Sequence, residues 1–433
     1  MSTKPTVLLL GATGFTGRLI AKYLSAHRDS ASFTLALGAR SKARLDAVVA
    51  ELGLNSAVQL RVVDVARVEQ VDAAVTGATV VINAVGPYWT WGTPVVHACV
   101  RHGVHYVDLA GETEWIKHII TTLHYTATKT GAMVVPSCGF DSVPADIVPY
   151  VASKTLREVS GEQVDIDTSV SAYKLQGGVS GGTISSLITT IEQIPANARQ
   201  AAKVAYSLSP AMGPPLPPPR LIYRLPLPDT GRTLTGAFFF MSPSNRALQL
   251  RSWGLLETAA ATDKTQLRYG PTFTYDEFLV TGGPLRAVLI TLAMAIGFGS
   301  FMISPIRWLL RKVLPKPGEG PSESTMTNGY MKITNITTAV TSPHRAAPLQ
   351  VKTVMKGKGD PGYSLTAVMI AEAALTIALA APEALPATGR TGGVLTPVTA
   401  LGDVYVERLV ASGRITIESA VVTARSREGK KTV

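Results

Sequence analysis

The stretch PTVLLLGATGFTGRLIAKYLSAH, residues 5–27, decides the fold. Its first six residues form a short, continuous apolar run, which predicts a parallel strand buried on both faces. Leu19, Ile20, Tyr23 and Leu24 recur at the spacing of one helical face. Three glycines, Gly11, Gly14 and Gly17, fill the turn between them. Strand, glycine-rich turn and helix, in that order, is the setting a dinucleotide-binding fingerprint requires. Gly11 permits a tight turn, Gly14 lets backbone approach a pyrophosphate, and Gly17 lets the helix pack on the strand. The N–H groups that open the helix, around Thr13, Phe15 and Thr16, then hold the anion. The spacing is G-x-x-G-x-x-G rather than G-x-G-x-x-G, so a plain structural turn is the competing reading; the flanking strand and helix favour the cofactor.

Working outward, FTLALGAR (33–40) reads as the second strand. A carboxylate at its end would bind the ribose hydroxyls of NAD. Here the strand runs into Gly38, Ala39, Arg40, Ser41 and Lys42. Arg40 can stack on adenine and pair with a 2′-phosphate, and Ser41 can donate to it, so NADP is favoured over NAD. The alternative is that Arg40 and Lys42 only cap a loop. LRVVDV (60–65) is a third strand whose Asp64 meets the adenine edge or caps a helix. ATVVINAVGPY (78–88) is a fourth, placing Asn83, Gly86, Pro87 and Tyr88 at the carboxyl edge of the sheet, where open α/β sheets bind ligands. VHYVDLAGE (104–112) and AMVVPSCGFDSVPAD (132–146) supply the fifth and sixth. Six strands with intervening helices predict a whole Rossmann-type α/β domain over residues 1–150.

Composition sets the outer bounds. The chain has 433 residues, of which 16% are charged and 46% hydrophobic. Charge this sparse excludes a disordered chain and hints at a lipid-facing segment. The formal net charge of +11 suggests an anionic partner. Two cysteines, Cys99 and Cys138, exclude a disulfide framework and a Cys-rich zinc site and point to a reducing compartment. The first apolar run is too short for a signal peptide.

GATGFTG, LGAR, NAVGPY, YVDLAGE and PSCGFDSVPAD, in this order, resemble the saccharopine dehydrogenase-like oxidoreductases. That group includes an animal saccharopine dehydrogenase-like protein and mycobacterial trans-acting enoyl reductases of lipid assembly. KGKGDPGYSLTAVMIAEAAL (356–375) and GGVLTPVTALGDVYVERL (392–409) extend the resemblance to nearly the whole chain. It implies an NADP-type Rossmann domain, a second α+β domain over 151–355, and a C-terminal segment, 356–433, that returns to pack on the first. It also implies a link to membranes, lipid droplets and glycolipid synthesis. A cytosol-facing protein on a lipid droplet, the endoplasmic reticulum or a mitochondrial membrane is the expectation for its location. The substrate residues of true saccharopine reductases have no one-by-one match here.

Residues 164–175 alternate as a strand does. GGVSGGT (177–183) then opens a helical stretch, 184–207; this second glycine-rich turn reads either as an anion seat or as a domain hinge. GPPLPPP (213–219) is extended and polyproline-like, a semi-rigid loop or a ligand for an SH3-like partner. AVLITLAMAIGFGSFMISPI (287–306) is twenty residues without a charge, the length a helix needs to cross a bilayer core. Gly297, Gly299, Ser300, Ser304 and Pro305 crowd its second half. Trp308, Arg307, Arg311, Lys312 and Lys316 follow, an interfacial aromatic with cations for anionic headgroups. A span, a hairpin in one leaflet, a buried core helix and an interface in a homodimer are the readings; insertion into one leaflet is preferred, because a span would split the domain across the membrane. Asn335-Ile336-Thr337 matches a glycosylation acceptor formally, but a cytosol-facing chain would not be modified there.

The reaction expected is hydride transfer from NADPH, with a small-molecule or lipid substrate and an enoyl group as one candidate. Reducing a conjugated double bond needs a proton donor near the nicotinamide. Tyr88, Asp108, Cys138 and Asp141, with Glu112, are the titratable groups in the exits of strands four to six, and each has a structural alternative. No metal site is expected: His97, His102 and His105 cluster in sequence without acidic or sulfur partners at metal spacing. The basic charge comes with no nucleic-acid motif, so nucleic acid is not expected as a partner. The other readings are a non-catalytic NADP-binding protein of lipid surfaces and a soluble saccharopine-type reductase.

Overall fold

The structure is a computed structural model that describes residues 4–178, 180–313, 318–341 and 347–422. Lys316 lies outside these. The first sheet has the order β13-β6-β5-β4-β1-β2-β3. Its strands are β1 (Thr6–Leu10), β2 (Thr34–Ala39), β3 (Gln59–Val62), β4 (Val80–Asn83), β5 (His105–Asp108), β6 (Met133–Val135) and β13 (Gly393–Val394), all parallel. Helices α1 (Phe15–Ser25), α2 (Lys42–Leu52), α3 (Val68–Val75), α4 (Tyr88–His102) and α5 (Thr113–Thr130) connect them. β1 through β6 carry the apolar runs read from the sequence. The order reverses between β1 and β4, and ligands of such sheets bind at that crevice.

A seventh, two-residue strand comes from the far end of the chain. β13 adds to β6 with Gly393 opposite Met133. It is too short to leave a hydropathy signal, so local pattern could not find it. The return is extensive: α13 (Thr366–Leu379) packs on α1, β1, β4 and β5, and α15 (Pro397–Ala411) packs on α13. Their buried Met369, Ile370, Ala373, Leu375, Val398 and Leu401 share one core with Val7, Leu9 and Ile20 of the first strand and helix. The buried carboxylate of Glu372 locks the join. It accepts from Tyr23 Oη at 2.6 Å, meets His27 Nε2 at 2.9 Å and accepts from Arg408 Nε at 2.8 Å.

The second sheet has the order β14-β12-β11-β7-β10-β9-β8, with β7 (Ile166–Gln176), β8 (Tyr223–Leu227), β9 (Arg232–Phe238), β10 (Thr274–Val280), β11 (Tyr330–Ala339), β12 (Gln350–Lys358) and β14 (Ile415–Val422). It is antiparallel except for the β7–β10 pair. α6 (Val143–Ser160) leads out of the first sheet and packs, with α9 (Ser242–Thr262), against one face of the second. That face is unusually polar. Asn335 is fully buried, donating to Ser169 and Ser171 hydroxyls at 2.9 and 3.1 Å, so the formal glycosylation sequon is closed in the core. Glu277 is also fully buried; it accepts from Tyr275 Oη and Asn245 Nδ2, and burial pushes its carboxyl up to about 7.

Two expectations need correction. The helical stretch at 184–207 is two helices, α7 (Gly181–Glu192) and α8 (Ala196–Ala202), because Pro195 cannot continue the first. The apolar segment at 287–306 is also two: α10 (Pro284–Met302) ends at an extended Ile303, and α11 (Ser304–Val313) starts with Pro305 in its first turn. The remaining helices are α12 (Glu323–Asn328) and α14 (Ala387–Thr391). α10 and α11 leave the second sheet after β10 and return to it at β11, and both of those strands pair with β7.

Candidate active site

The glycine-rich turn is built by close approach. Gly11 adopts φ +82°, a left-handed conformation that favours glycine, and its N–H donates to Gly38 O at 3.0 Å. A Cβ on Gly17 would stand 2.1 Å from Gly11 O, so no other residue fits there without moving the strand. Gly14 is the N-cap of α1 and offers no side-chain acceptor, and the first turn of α1 has no acidic residue. The opening turn of the helix, at Phe15 and Thr16 after Thr13, therefore has no side-chain cap on its amides. This cradle fits a pyrophosphate.

At the end of β2, Arg40 is exposed and makes no hydrogen bond or ion pair among the described residues. Ser41 is committed as the N-cap of α2, accepting from Arg44 N. Lys42 is paired with Asp46 at 2.8 Å. Asp64 bends the exit of β3 on itself, accepting from Ala66 N at 3.1 Å. Arg40 is thus the free group at the ribose end, and its planar guanidinium suits a 2′-phosphate.

The exit of β4 is rigid. Asn83 is fully buried, donates to Tyr106 Oη and accepts from Val85 N. Gly86–Pro87 is cis. Tyr88 is buried; its phenol donates to Asn83 O at 2.9 Å and accepts from Leu109 N at 3.1 Å, which leaves no proton for a ligand. The buried Glu112 carboxylate accepts from the first amides of α4, Tyr88 N at 2.8 Å and Trp89 N at 2.7 Å, and from Ser186 Oγ at 3.0 Å on α7. Glu112 therefore caps one helix and ties it to another across the crevice.

Asp108 and Cys138 lie behind this edge. Both are fully buried. Asp108 Oδ1 accepts from Ala110 N and Ser137 N, both at 2.9 Å, and burial pushes its carboxyl up to about 7. Cys138 donates to Val135 O at 3.2 Å, and burial pushes its thiol well up. Asp141 differs from the other three. It is open to solvent, and its carboxylate faces the exit of β5, with Oδ2 3.6 Å from where a Cβ on Gly111 would lie. Crowding by the surrounding protein raises it to about 6.

The second domain closes the other side. The Phe15 and Tyr363 rings meet edge to face at 5.4 Å. Tyr363 Oη accepts from Ser180 N at 2.5 Å and pairs with Thr183 Oγ1 at 2.9 Å. Asp360, fully buried, accepts from Gly178 N and Tyr363 N, both at 2.8 Å. Gly320 comes so near that a Cβ there would sit 2.3 Å from the Phe15 ring. GGVSGGT and GDPGY, read separately in the sequence, are thus one structure pressed against the glycine-rich turn; Val179 lies outside the described residues. Tyr363, Asp360, Ser180 and Ser186 carried no local signal, because only the fold brings residues 178–186 and 360–363 together. Among the described residues no cluster of three or more His, Cys, Asp or Glu could hold a metal.

The chain is similar to proteins of one known family. The model of the saccharopine dehydrogenase NADP binding domain matches residues 7–135. A Mycobacterium tuberculosis protein named as a candidate trans-acting enoyl reductase is 35% identical over 425 residues, spanning 94% of this chain and 96% of its own. The trans-acting enoyl reductase of Mycobacterium bovis BCG is 32% identical over 424 residues, with the same coverage. Among solved structures, the apo saccharopine dehydrogenase (L-Glu forming) of Saccharomyces cerevisiae covers 97% of this chain and 100% of its own at a TM-score of 0.50 and 14% identity, a likeness of fold.

Proposed function

The chain belongs to the saccharopine dehydrogenase-like family of NADP-binding oxidoreductases, alongside the mycobacterial trans-acting enoyl reductases, and from that membership we propose that it reduces the enoyl group of a lipid or polyketide-like substrate at a membrane or lipid-droplet surface. NADPH supplies the hydride when bound. The cradle of Gly11, Gly14 and Gly17 seats the pyrophosphate, and Arg40 selects the 2′-phosphate. The observation that carries the reading is the placement of Asp141. Of the four titratable candidates, it alone has an exposed surface, at the crevice where a nicotinamide belongs. Its protonated carboxyl would deliver the proton to the double-bond carbon that does not take the hydride, and would be left as carboxylate.

A saccharopine-type amino-acid substrate would call for clustered cations to bind its carboxylates. The groups described around the crevice, Asp141, Glu112, Tyr363, Ser180, Thr183 and Ser186, are carboxyls and hydroxyls. They suit a neutral, unsaturated chain. The exposed apolar α10 and α11 support a lipid surface as the place of action, with the cleft facing the reducing compartment.

The test is a titration with NADPH and NADH, read by nicotinamide fluorescence, for wild type and Arg40→Ala, followed by NADPH consumption with trans-2-enoyl thioesters and with saccharopine plus NADP. Selective loss of NADPH affinity in the variant, with turnover of the enoyl thioesters alone, is expected. Binding of neither nucleotide would sink the reductase reading, and turnover of saccharopine alone would replace it with the amino-acid one.

A further inference from the structure

α10 carries its apolar residues all round. Ala287 is buried, and Thr291 Oγ1 accepts from Phe238 N at 3.1 Å, so the first half packs on β9. From Leu292 to Gly299 almost every side is exposed: Leu292, Ala293, Ala295, Ile296, Gly297 and Phe298 all face solvent. Five consecutive helical positions cover a full turn, so this half has no polar face. A helix that docks on a protein shows one apolar stripe; one that is apolar on every side is covered either by a protein core or by lipid, and no protein core covers this half among the described residues. Residues 284–313 contain no acidic residue, while Arg286, Arg307, Arg311 and Lys312 sit at or beyond its ends. Lys312 Nζ lies 3.6 Å over the Trp308 ring, an aromatic and a cation placed together as at a headgroup boundary.

The topology then decides how deep the segment goes. A single crossing would place β10 and β11 on opposite sides of a membrane, yet both pair with β7. The far end is tethered as well. Arg307 Nε donates to Glu192 Oε1 of α7 at 2.7 Å, and Arg307 Nη1 donates to Phe301 O at 2.5 Å. Both ends of α10 are held to one body.

We propose that α10 and α11 form a one-leaflet platform, lying in the outer half of an anionic phospholipid surface without crossing it. This rests on the lipid contact in the reading above and fixes its form. α7 joins the platform, at Glu192, to the crevice, at Ser180. Its twelve residues rise about 18 Å, so an amphiphile resident in that leaflet lies close to the entrance.

The experiment compares two surfaces. The full chain is floated with bilayer vesicles of phosphatidylcholine and phosphatidylglycerol and with triolein droplets coated by a monolayer of the same lipids. An environment-sensitive fluorophore on Ile296→Cys reports burial in hydrocarbon; Cys99 and Cys138 are buried and stay unlabelled. A leaflet platform binds both surfaces within about threefold, with a blue shift on each. Leu292→Asp with Ile296→Asp lowers the bound fraction at least tenfold and leaves NADPH binding unchanged, which confirms the fold. Binding to bilayers but not to droplets would overturn the platform and leave lipid contact standing. Binding to neither would overturn both, as would a lipid-free dimer that buries the label. Equal binding to pure phosphatidylcholine would overturn the anionic preference.

Discussion

Two helical segments of this chain have the same length and nearly the same apolar character, and opposite surroundings. Pro361–Leu379 and Pro284–Met302 each run 19 residues, but the apolar window of the first is 78% buried and that of the second 6%. Composition cannot separate them, because hydropathy measures what a segment tolerates, not what covers it. What differs is the company. The first is covered by α1, α15 and the parallel sheet, and it carries one carboxylate, Glu372, satisfied by three partners. The second touches β9 along half its length and has no acidic residue. One is core and the other is an apolar surface without a protein cover among the described residues.

A charge placed in each helix gives the largest expected contrast. Ala373→Asp buries a carboxylate with no partner at a fully enclosed position and should cost about 4 kcal/mol or more, enough to abolish folding and NADPH binding. Ile296→Asp, at a position 73% exposed, should change stability by less than about 0.5 kcal/mol. Chemical denaturation of the two variants settles the matter; equal losses would erase the distinction drawn between the helices.

The clamp on the buried helix comes next. Glu372→Gln should destabilise by about 3 kcal/mol, since it leaves the half-buried Arg408 without its closest counter-charge. The hydrogen bonds from His27 and Tyr23 and the charge of Arg408 outweigh desolvation, so the Glu372 carboxyl titrates below its usual 4.5. A lowered folded-state pKa contributes stability that is intact above the unfolded value and lost as the pH falls through the folded one. Wild type should therefore lose more stability than Glu372→Gln below about pH 4.5, and parallel pH curves would show that the carboxylate contributes nothing by ionising.

Asp141→Asn should lower the reduction rate by about 100-fold while nucleotide affinity holds. A donor raised to about 6 predicts a wild-type rate that falls as pH rises above 6, and a flat profile in the variant. Arg307→Gln should be the mildest change. The loss of its ion pair to Glu192 should cost about 1 kcal/mol or less. Its effect should appear as lower activity on lipid vesicles, with activity on short, soluble enoyl thioesters retained. A loss on both would place Arg307 in the scaffold instead.

The same contrast explains what the sequence discloses. The first sheet is legible because each strand is a short apolar run ending in a glycine or polar turn, as at Leu10–Gly11 and Asn83–Gly86. The glycine-rich turn is legible because a positive φ at Gly11 and the close approach at Gly17 need glycine locally. Much of the second sheet is not: β9 begins with Arg232, Thr233 and Thr235, and β10 contains Asp276 and a buried Glu277, polar residues that hide a core strand. β13 is only two residues. The wall of the crevice formed by Tyr363 and Ser180 depends on contacts between residues about 180 apart in the chain, and no period or spacing encodes those.

The central claim is hydride transfer to an enoyl lipid, and its most direct test is deuterium transfer. The protein, on anionic vesicles, would be given NADPH deuterated at C4 and a long-chain trans-2-enoyl thioester, and the product weighed by mass spectrometry. A saturated chain carrying one deuterium from the nucleotide, formed by wild type and about 100-fold more slowly by Asp141→Asn, is the predicted result. An enoyl chain returned unreduced while NADPH binds tightly would contradict the account.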